Sequence, residues 1–435
     1  MRYRKMNNKE VVGIGILGLG NVGGGTLSIL DNNKSFIERE IFPKKIKIVA
    51  ISDIYDKRKP ESGRDYFFTT NAEEIVKHSD VDILVETIGG EYPAYDFIKK
   101  ALQGGKHVVT PNKEVIAKHG YELLEIAEQK NVQLLFEPSV ASAIPILGSI
   151  VNILTSCPLH EISGILNGTT NYILDLMLEH NMTKEEALKK AQEMGYAEAD
   201  PGNDIDGVDT LYKIFILASL GFRGRLELDH IPYSGINKVT LEDINLAKQL
   251  NYSIKLLATA RKELNKADIK VRPVLIKKEH LLSNIFGADN GIFLSGNCYG
   301  NLFLSGPGAG GAAAGSMIVS DIVKIIRQPQ SFDHSFLAKD VQELSIEKLG
   351  EVKYSYFLRI KLKDNSENLE SLKDSLLNQG LLSDKSDKVV EIKQEDSSSI
   401  IGLISLSVDE EKLKEAIKNM EELSYIDEIS YLEVY

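Results

Sequence analysis

Residues 191–213, AQEMGYAEADPGNDIDGVDTLYK, set six carboxylates (Glu193, Glu198, Asp200, Asp204, Asp206 and Asp209) ahead of Lys213, which opens the apolar run Ile-Phe-Ile-Leu-Ala. If this part is helical, Asp209 and Lys213 stand four apart and share a face. Apolar surroundings lower a lysine pKa and a nearby carboxylate raises it again. Such a lysine can hand a proton to an alkoxide that develops as a carbonyl is reduced. Glu198, Asp204 and Asp209 are candidates for holding a substrate ammonium. The same spacing also describes a surface ion pair worth about a few tenths of a kcal/mol, preceded by a solvated acidic loop. Spacing alone leaves both readings open.

Residues 18–23, Gly-Leu-Gly-Asn-Val-Gly, match G-x-G-x-x-G between a strand and a probable helix. That context is what a dinucleotide fingerprint needs. Gly18, Gly20 and Gly23 permit a tight turn and close approach of backbone N–H groups to a pyrophosphate, and Asn21 and Val22 open the helix whose N-terminus favours the anion. The alternative is a glycine-rich structural turn. Asp53 ends the next strand and could accept from an adenosine ribose, which would favour NAD. It lies farther from the glycines than the usual ~20 residues, so an insertion near 31–45 is required. Lys57 and Arg58 follow closely and could meet a 2′-phosphate, so the choice between NAD and NADP stays open. Thr110-Pro111-Asn112-Lys113 follows the strand KHVVT at what would be the carboxyl edge of the sheet, where ligands sit in such folds. Lysine is unhelpful at a helix N-terminus, and this favours a functional task for Lys113.

The elements that must position these residues follow from periodicity. VVGIGILG, IKIVAISD, VDILVETI, KHVVT and VQLLFE read as buried strands, with helices near 21–30, 71–78, 93–103 and 112–129. The alternation predicts a parallel, doubly wound Rossmann-type sheet. Beyond it, HEISGIL and the runs 269–277, 285–294 and 299–305 read as strands of an α+β unit, and Thr183 with Glu186 forms a capping box. GPGAGGAAAGSMIVSDIVKIIR passes from a glycine-rich turn into a final helix. After Gln328-Pro329-Gln330, residues 353–435 read as βαββαβ, the ferredoxin-like plan. The expected domains are 1–137 plus 306–327 for the dinucleotide, 138–305 for substrate and dimerisation, a linker at 328–352, and a regulatory tail at 353–435.

The 435 residues carry 43% hydrophobic residues, enough for sizeable cores. A net charge of −12 argues against nucleic acid and anionic membranes as partners. No run reaches the ~20 apolar residues of a membrane span. The basic head MRYRKMNNKE before VVGIGILGLG has the outline of a signal peptide, but Gly13, Gly15, Gly18 and Gly20 fit a Rossmann strand and turn better. Cys157 and Cys298 are far apart and have no metal-ligand pattern. The expectation is a cytoplasmic protein without a disulfide framework.

Gly18–Gly23, Thr110–Lys113, Gly164-Ile165-Leu166-Asn167-Gly168-Thr169-Thr170-Asn171 and the block Ala191–Lys213 together resemble homoserine dehydrogenase. A-x-x-x-G-Y-A followed by D-P-x-x-D-I-x-G-x-D and the lysine is the most specific part, and the resemblance spans residues 11–327. It implies NAD(P)-dependent interconversion of L-aspartate 4-semialdehyde and L-homoserine. It implies that Lys213 is the proton donor, that Glu198 and Asp209 bind the amino acid, and that Lys113 lies at the cofactor and reacting centre. It further implies that Gly195, Gly306 and Gly308 approach the nicotinamide. A sodium ion would be held by Glu137 and the backbone carbonyls of Val140, Ser142 and Ile144. The tail resembles an ACT domain, so threonine is an expected effector, and a homodimer or homotetramer is expected. Two positions depart from the family pattern. Ser52 stands before Asp53 where many relatives have arginine, and Asp364-Asn365-Ser366-Glu367 stands where ACT domains usually carry a Pro-Gly turn. A non-catalytic amino-acid sensor built on the same folds is the alternative from another class. A different semialdehyde dehydrogenase is disfavoured because no cysteine sits in a catalytic context.

Overall fold

A computed structural model describes residues 9–55, 58, 66–328, 343–347, 353–363, 368–394 and 398–435. Lys57, most of the linker 328–352 and the turn 364–367 lie outside the described residues. In chain order the first elements are β1 (Val11–Leu17), α1 (Asn21–Asn32), β2 (Lys45–Ser52), β3 (Phe67–Thr69), β4 (Ile83–Glu86), β5 (His107–Val109), α2 (Lys113–Lys130) and β6 (Leu134–Leu135). Next come β7 (Leu159–Ile165), α3 (Gly168–His180), α4 (Val208–Phe222), β8 (Tyr252–Glu263), β9 (Lys266–Lys277), β10 (Asp289–Gly296), β11 (Gly300–Pro307) and α5 (Gly311–Arg327). The remainder is β12 (Ser345–Ile346), β13 (Tyr356–Leu362), α6 (Asn368–Asn378), β14 (Val389–Lys393), β15 (Ser399–Ile404), α7 (Glu410–Glu421) and β16 (Ile426–Val434). No helix among the described residues is long and apolar enough to cross a membrane.

Contacts divide the chain into two compact units. Residues 1–162, 212–230 and 294–345 make the first. Its sheet has the order β3-β2-β1-β4-β5-β6, with parallel pairing throughout. The order reverses at β1, so the crevice at the carboxyl end of β1 and β4 is the place such sheets bind ligands. Val12, Ile14 and Ile16 of β1 pack with Ile318, Ile322 and Ile325 of α5 in one core. Helices α1 and α5 approach so closely that a Cβ on Gly311 would meet Asn21 O at 2.3 Å. The insertion expected near 31–45 contains the short helix Lys34–Glu40.

The two cysteines, expected to be unpaired, form a disulfide within this unit, with Cα atoms 6.2 Å apart. The turn between β10 and β11 lies beside the segment that enters β7, where His160 also hydrogen-bonds Asn297. A sequence separation of 141 residues carries no information about that proximity.

Residues 163–211, 231–293 and 346–435 make the second unit. Strands β8 and β9 form a hairpin paired from Tyr252↔Lys277 to Glu263↔Lys266. The sequence reading missed β8 because Ser253–Ala260 is buried without alternation, and a run buried on both faces shows no period of two. The other edge of β9 pairs in parallel with β16 at Glu433↔Val274 and Val434↔Leu275. The sheet then continues antiparallel as β16-β13-β15-β14. The tail therefore has the expected βαββαβ order. It differs from the expected domain plan in joining the sheet of the second unit rather than standing apart. Glu433 ties the junction, 3.1 Å from Lys270 and 2.6 Å from Arg272.

Candidate functional site

In the first unit the glycine turn is defined by what a side chain would strike. Gly18 has φ +90° and its N–H donates to Ser52 O at 2.7 Å. A Cβ on Gly23 would lie 1.9 Å from Gly18 O, whereas one on Gly20 would meet nothing within 4 Å. Gly20 is the N-cap of α1 and brings no side-chain cap. The first-turn N–H groups of this 12-residue helix are therefore available to an anion, and the space above them is open. This cradle fits the pyrophosphate of a dinucleotide.

Asp53 is buried at the end of this turn, 4% exposed. Its oxygens accept from Leu19 N at 2.7 Å and Tyr55 N at 2.8 Å, and Arg58 stands 3.3 Å away. Burial pushes its carboxyl up, but these N–H groups and the guanidinium outweigh that and hold it below its ordinary value. Asp53 thus anchors the glycine turn to the end of β2. The Arg58 guanidinium lies over the Tyr55 ring, 4.9 Å from its centroid.

The turn after β5 is organised by Glu86, which the sequence reading passed over. Glu86 is fully buried. Its carboxylate accepts from Thr110 Oγ1 at 2.6 Å, Ile88 N at 2.6 Å and Gly89 N at 3.3 Å. Burial pushes its pKa up against these bonds. Thr110 Oγ1 in turn accepts from Asn112 N at 3.0 Å. Asn112 caps α2 through Val115 N at 3.2 Å and donates to Gly90 O at 2.7 Å. Half-buried Lys113 is the first residue of the helix so capped. Lys213, 8% exposed, lies on α4 in the same unit. The only signal for Glu86 was a glutamate ending the apolar strand VDILVE.

Glu137 begins an irregular buried stretch of this unit. Its carboxylate accepts from Leu147 N at 2.8 Å and Gly148 N at 2.6 Å, and its own N–H donates to Asp321 at 3.0 Å. Burial pushes Glu137 up. Burial, with the Glu137 charge, pushes Asp321 up to about 8. Ala141 and Ser142 occupy left-handed conformations at φ 54° and 43°, uncommon for residues with side chains. Val140, Ser142 and Ile144 are buried here. Gly306 lies near Ile144, with its ideal Cβ 3.5 Å from Cγ1. Gly308 lies in the turn that precedes α5.

In the second unit the acidic block is held from the start of α3. Asn167 is 4% exposed and caps that helix by accepting from Thr170 N at 2.8 Å. Its Nδ2 donates to Asp204 at 2.7 Å and to Asp209 at 2.8 Å. Asp209 is 5% exposed and sits in the first turn of α4, while Asp204 is half-buried. Glu198 is exposed, and its backbone carbonyl accepts from Gln192 at 3.1 Å. Its loop turns at Gly195, φ +75°, and is fixed to α3 by Thr169, whose hydroxyl donates to Tyr196 O at 2.7 Å. The Tyr172 and Tyr196 rings pack at a 42° tilt, their centroids 4.6 Å apart. Asn167 stands in the sequence only as part of the Gly164–Asn171 motif, so its grip on two carboxylates was not foreseen. Asp206 and Asp200 are used locally, by Asn237 and by Gly202 N.

Comparison with known proteins points to a family. The sequence profile described as homoserine dehydrogenase covers residues 145–323, and the one for the NAD-binding domain of homoserine dehydrogenase covers residues 18–137. The homoserine dehydrogenase of Bacillus subtilis is 31% identical over 97% of this chain and 97% of its own length. That of Neisseria gonorrhoeae is 34% identical over 96% of each. A crystal structure of a homoserine dehydrogenase from Thiobacillus denitrificans superposes with a TM-score of 0.87 at 31% identity, covering 98% of both chains. A hyperthermophilic archaeal homoserine dehydrogenase in complex with NADPH gives 0.61 at 27% identity, covering 72% of this chain and 97% of that one.

Proposed function

The chain belongs to the homoserine dehydrogenases, NAD(P)-dependent oxidoreductases of threonine and methionine biosynthesis, and from that we propose which of its residues perform the reaction. L-Aspartate 4-semialdehyde and L-homoserine are the substrates of that activity. The nicotinamide, when bound, supplies the hydride to the carbonyl carbon. The Gly18–Gly23 turn holds the pyrophosphate, supported by the open space at Gly20. Thr110 also serves the cofactor, and Gly195, Gly306 and Gly308 serve its nicotinamide half. Lys213 gives its proton to the carbonyl oxygen, and Lys113 adds positive charge at that oxygen. Glu198, Asp204 and Asp209 hold the substrate ammonium.

The observation that carries this reading is the Asn167-linked acid pair, one member of which stands a turn before Lys213 on the same helix. Arg58 beside Asp53 and Tyr55 supports NADPH over NADH, because a guanidinium at that edge suits a 2′-phosphate. A related enzyme whose structure holds NADPH supports the same choice. For sodium, the supports are the buried Glu137 carboxylate and the left-handed backbone at Ala141 and Ser142. Among the described residues no cluster of three or more His, Cys, Asp or Glu side chains could hold a metal. A cation here would use Glu137 with the carbonyls of Val140, Ser142 and Ile144, and hard oxygen donors suit such an ion. The βαββαβ tail supports threonine as an effector. A homodimer or homotetramer completes the proposal. No observation favours the non-catalytic sensor.

Initial rates with NADH and NADPH against aspartate semialdehyde, in sodium or potassium salts and with threonine varied, test the set together. We expect turnover with a lower KM for NADPH. A lack of turnover with either cofactor would remove the assignment of these residues.

A further inference from the structure

We propose that Asn167 is a positioning residue that holds Asp204 and Asp209 as one joint acceptor for the substrate ammonium. The inference rests on the reading that these two carboxylates bind that ammonium.

The amide of Asn167 is used at both ends. Its oxygen accepts from Thr170 N at 2.8 Å and from Thr170 Oγ1 at 2.9 Å. Those donors fix which way the amide faces, so its NH2 group must point away from the helix start. Both N–H bonds then go to carboxylates, Asp204 Oδ1 at 2.7 Å and Asp209 Oδ2 at 2.8 Å. The two acceptor oxygens cannot be farther apart than those two bonds laid end to end. They come from different elements, the short helix Gly202–Ile205 and the first turn of α4.

A neutral donor is the important choice. Two carboxylates brought this close repel each other, and one would tend to take up a proton. A lysine or arginine between them would relieve the repulsion but cancel the charge that attracts an ammonium. An asparagine NH2 satisfies an oxygen of each and adds no charge of its own. Aspartate or serine would keep the cap but not both donors. A lysine would donate but not cap.

The hub is also immobile. Asn171, one turn along α3, donates to Ile285 O at 3.1 Å and Gly287 O at 2.9 Å. Buried Lys255 of β8 donates to Asn171 Oδ1 at 2.9 Å, Asp175 Oδ1 at 2.7 Å and Ile285 O at 2.7 Å. A Cβ on Gly168 would fall 2.4 Å from Ala288 O, so the first turn of α3 sits against that loop with no side chain between. The acid pair is therefore referenced to β8 through a chain of satisfied polar groups.

The test is Asn167→Asp, which keeps the cap and replaces both donors with a third carboxylate. Asn167→Ser keeps the cap, removes the donors and adds no charge. In homoserine oxidation, KM for homoserine should rise roughly 10- to 100-fold in the aspartate variant and less in the serine variant. The defect of Asn167→Asp should shrink as pH falls, because a protonated carboxyl regains one donor. That recovery should be absent from Asn167→Ser. Cofactor affinity should stay near wild type in both, while the third buried carboxylate of Asn167→Asp lowers its Tm. Asp204→Asn and Asp209→Asn serve as controls. If they raise KM and the Asn167 variants do not, the positioning proposal fails. If they leave KM unchanged, the underlying reading of the acid pair fails instead. Should Asn167→Asp not fold, the KM of Asn167→Ser decides the proposal.

Discussion

Gly20 and Gly23 lack the same atoms for opposite reasons. A Cβ on Gly23 would overlap Gly18 O, whereas one on Gly20 would enter empty space. Gly23→Ala is therefore expected to lower stability by about 1–3 kcal/mol, an overpacking cost, read from urea unfolding. Gly20→Ala should leave that transition in place and weaken NADPH binding at least about tenfold, because the new methyl competes with the pyrophosphate. Equal NADPH affinity in wild type and Gly20→Ala would place the phosphates elsewhere. Single residues were legible where their type has one physical use. The glycines of the turn and the Thr183 capping box could be read off spacing, whereas spacing alone did not separate a functional block around Lys213 from a surface ion pair. Asp53 could not. Its carboxylate is engaged by Leu19 N, Tyr55 N and Arg58, and only coordinates reveal that competition. Glu86 was passed over and Asn167 was noted only within the family motif, because a buried polar residue's task is set by neighbours remote in sequence.

Strands were legible when half-buried or flanked by turn signals, as β1, β2, β4 and β5 were. β8 was lost because eight successive buried residues show no period, and Lys255 within it looks like a surface residue until Asp175 is found beside it. β5 carries a testable consequence of burial. His107 is 2% exposed and its Nδ1 accepts from Gln133 N at 3.1 Å. Burial, aided by the charge of Lys44, pushes its pKa down from 6.5 to about 4. The folded pKa is depressed, so between these values the unfolded chain binds the proton and the fold does not. Stability is then present above the unfolded pKa and lost as pH falls toward the folded one. The wild type should lose roughly 2 kcal/mol more than His107→Gln between pH 7 and pH 5. Denaturant melts at the two pH values measure this, and parallel losses would show that His107 titrates normally in the fold.

At the scale of the whole molecule, the order of elements was readable but their pairing was not. The βαββαβ tail follows from local periods, whereas its attachment to β9 is a parallel pairing between residues far apart in the chain. The disulfide between Cys157 and Cys298 escaped for the same reason. Glu433 is 4% exposed and faces both Lys270 and Arg272 at that junction. Removing one partner of a buried ion pair leaves uncompensated charge. Glu433→Ala should therefore cost about 3 kcal/mol and lower the Tm of the full chain. An unaltered melting curve would mean that the tail is held by its apolar core alone.

The role proposed for the ammonium of Lys213 is to deliver the proton in semialdehyde reduction. The direct measurement is kcat for NADPH-dependent reduction by Lys213→Ala, paired with a fluorescence titration of NADPH. General acid catalysis contributes about 10²–10⁴ in rate, so kcat should fall by that order while NADPH affinity stays near wild type. Turnover in the variant equal to that of the wild type would contradict the claim.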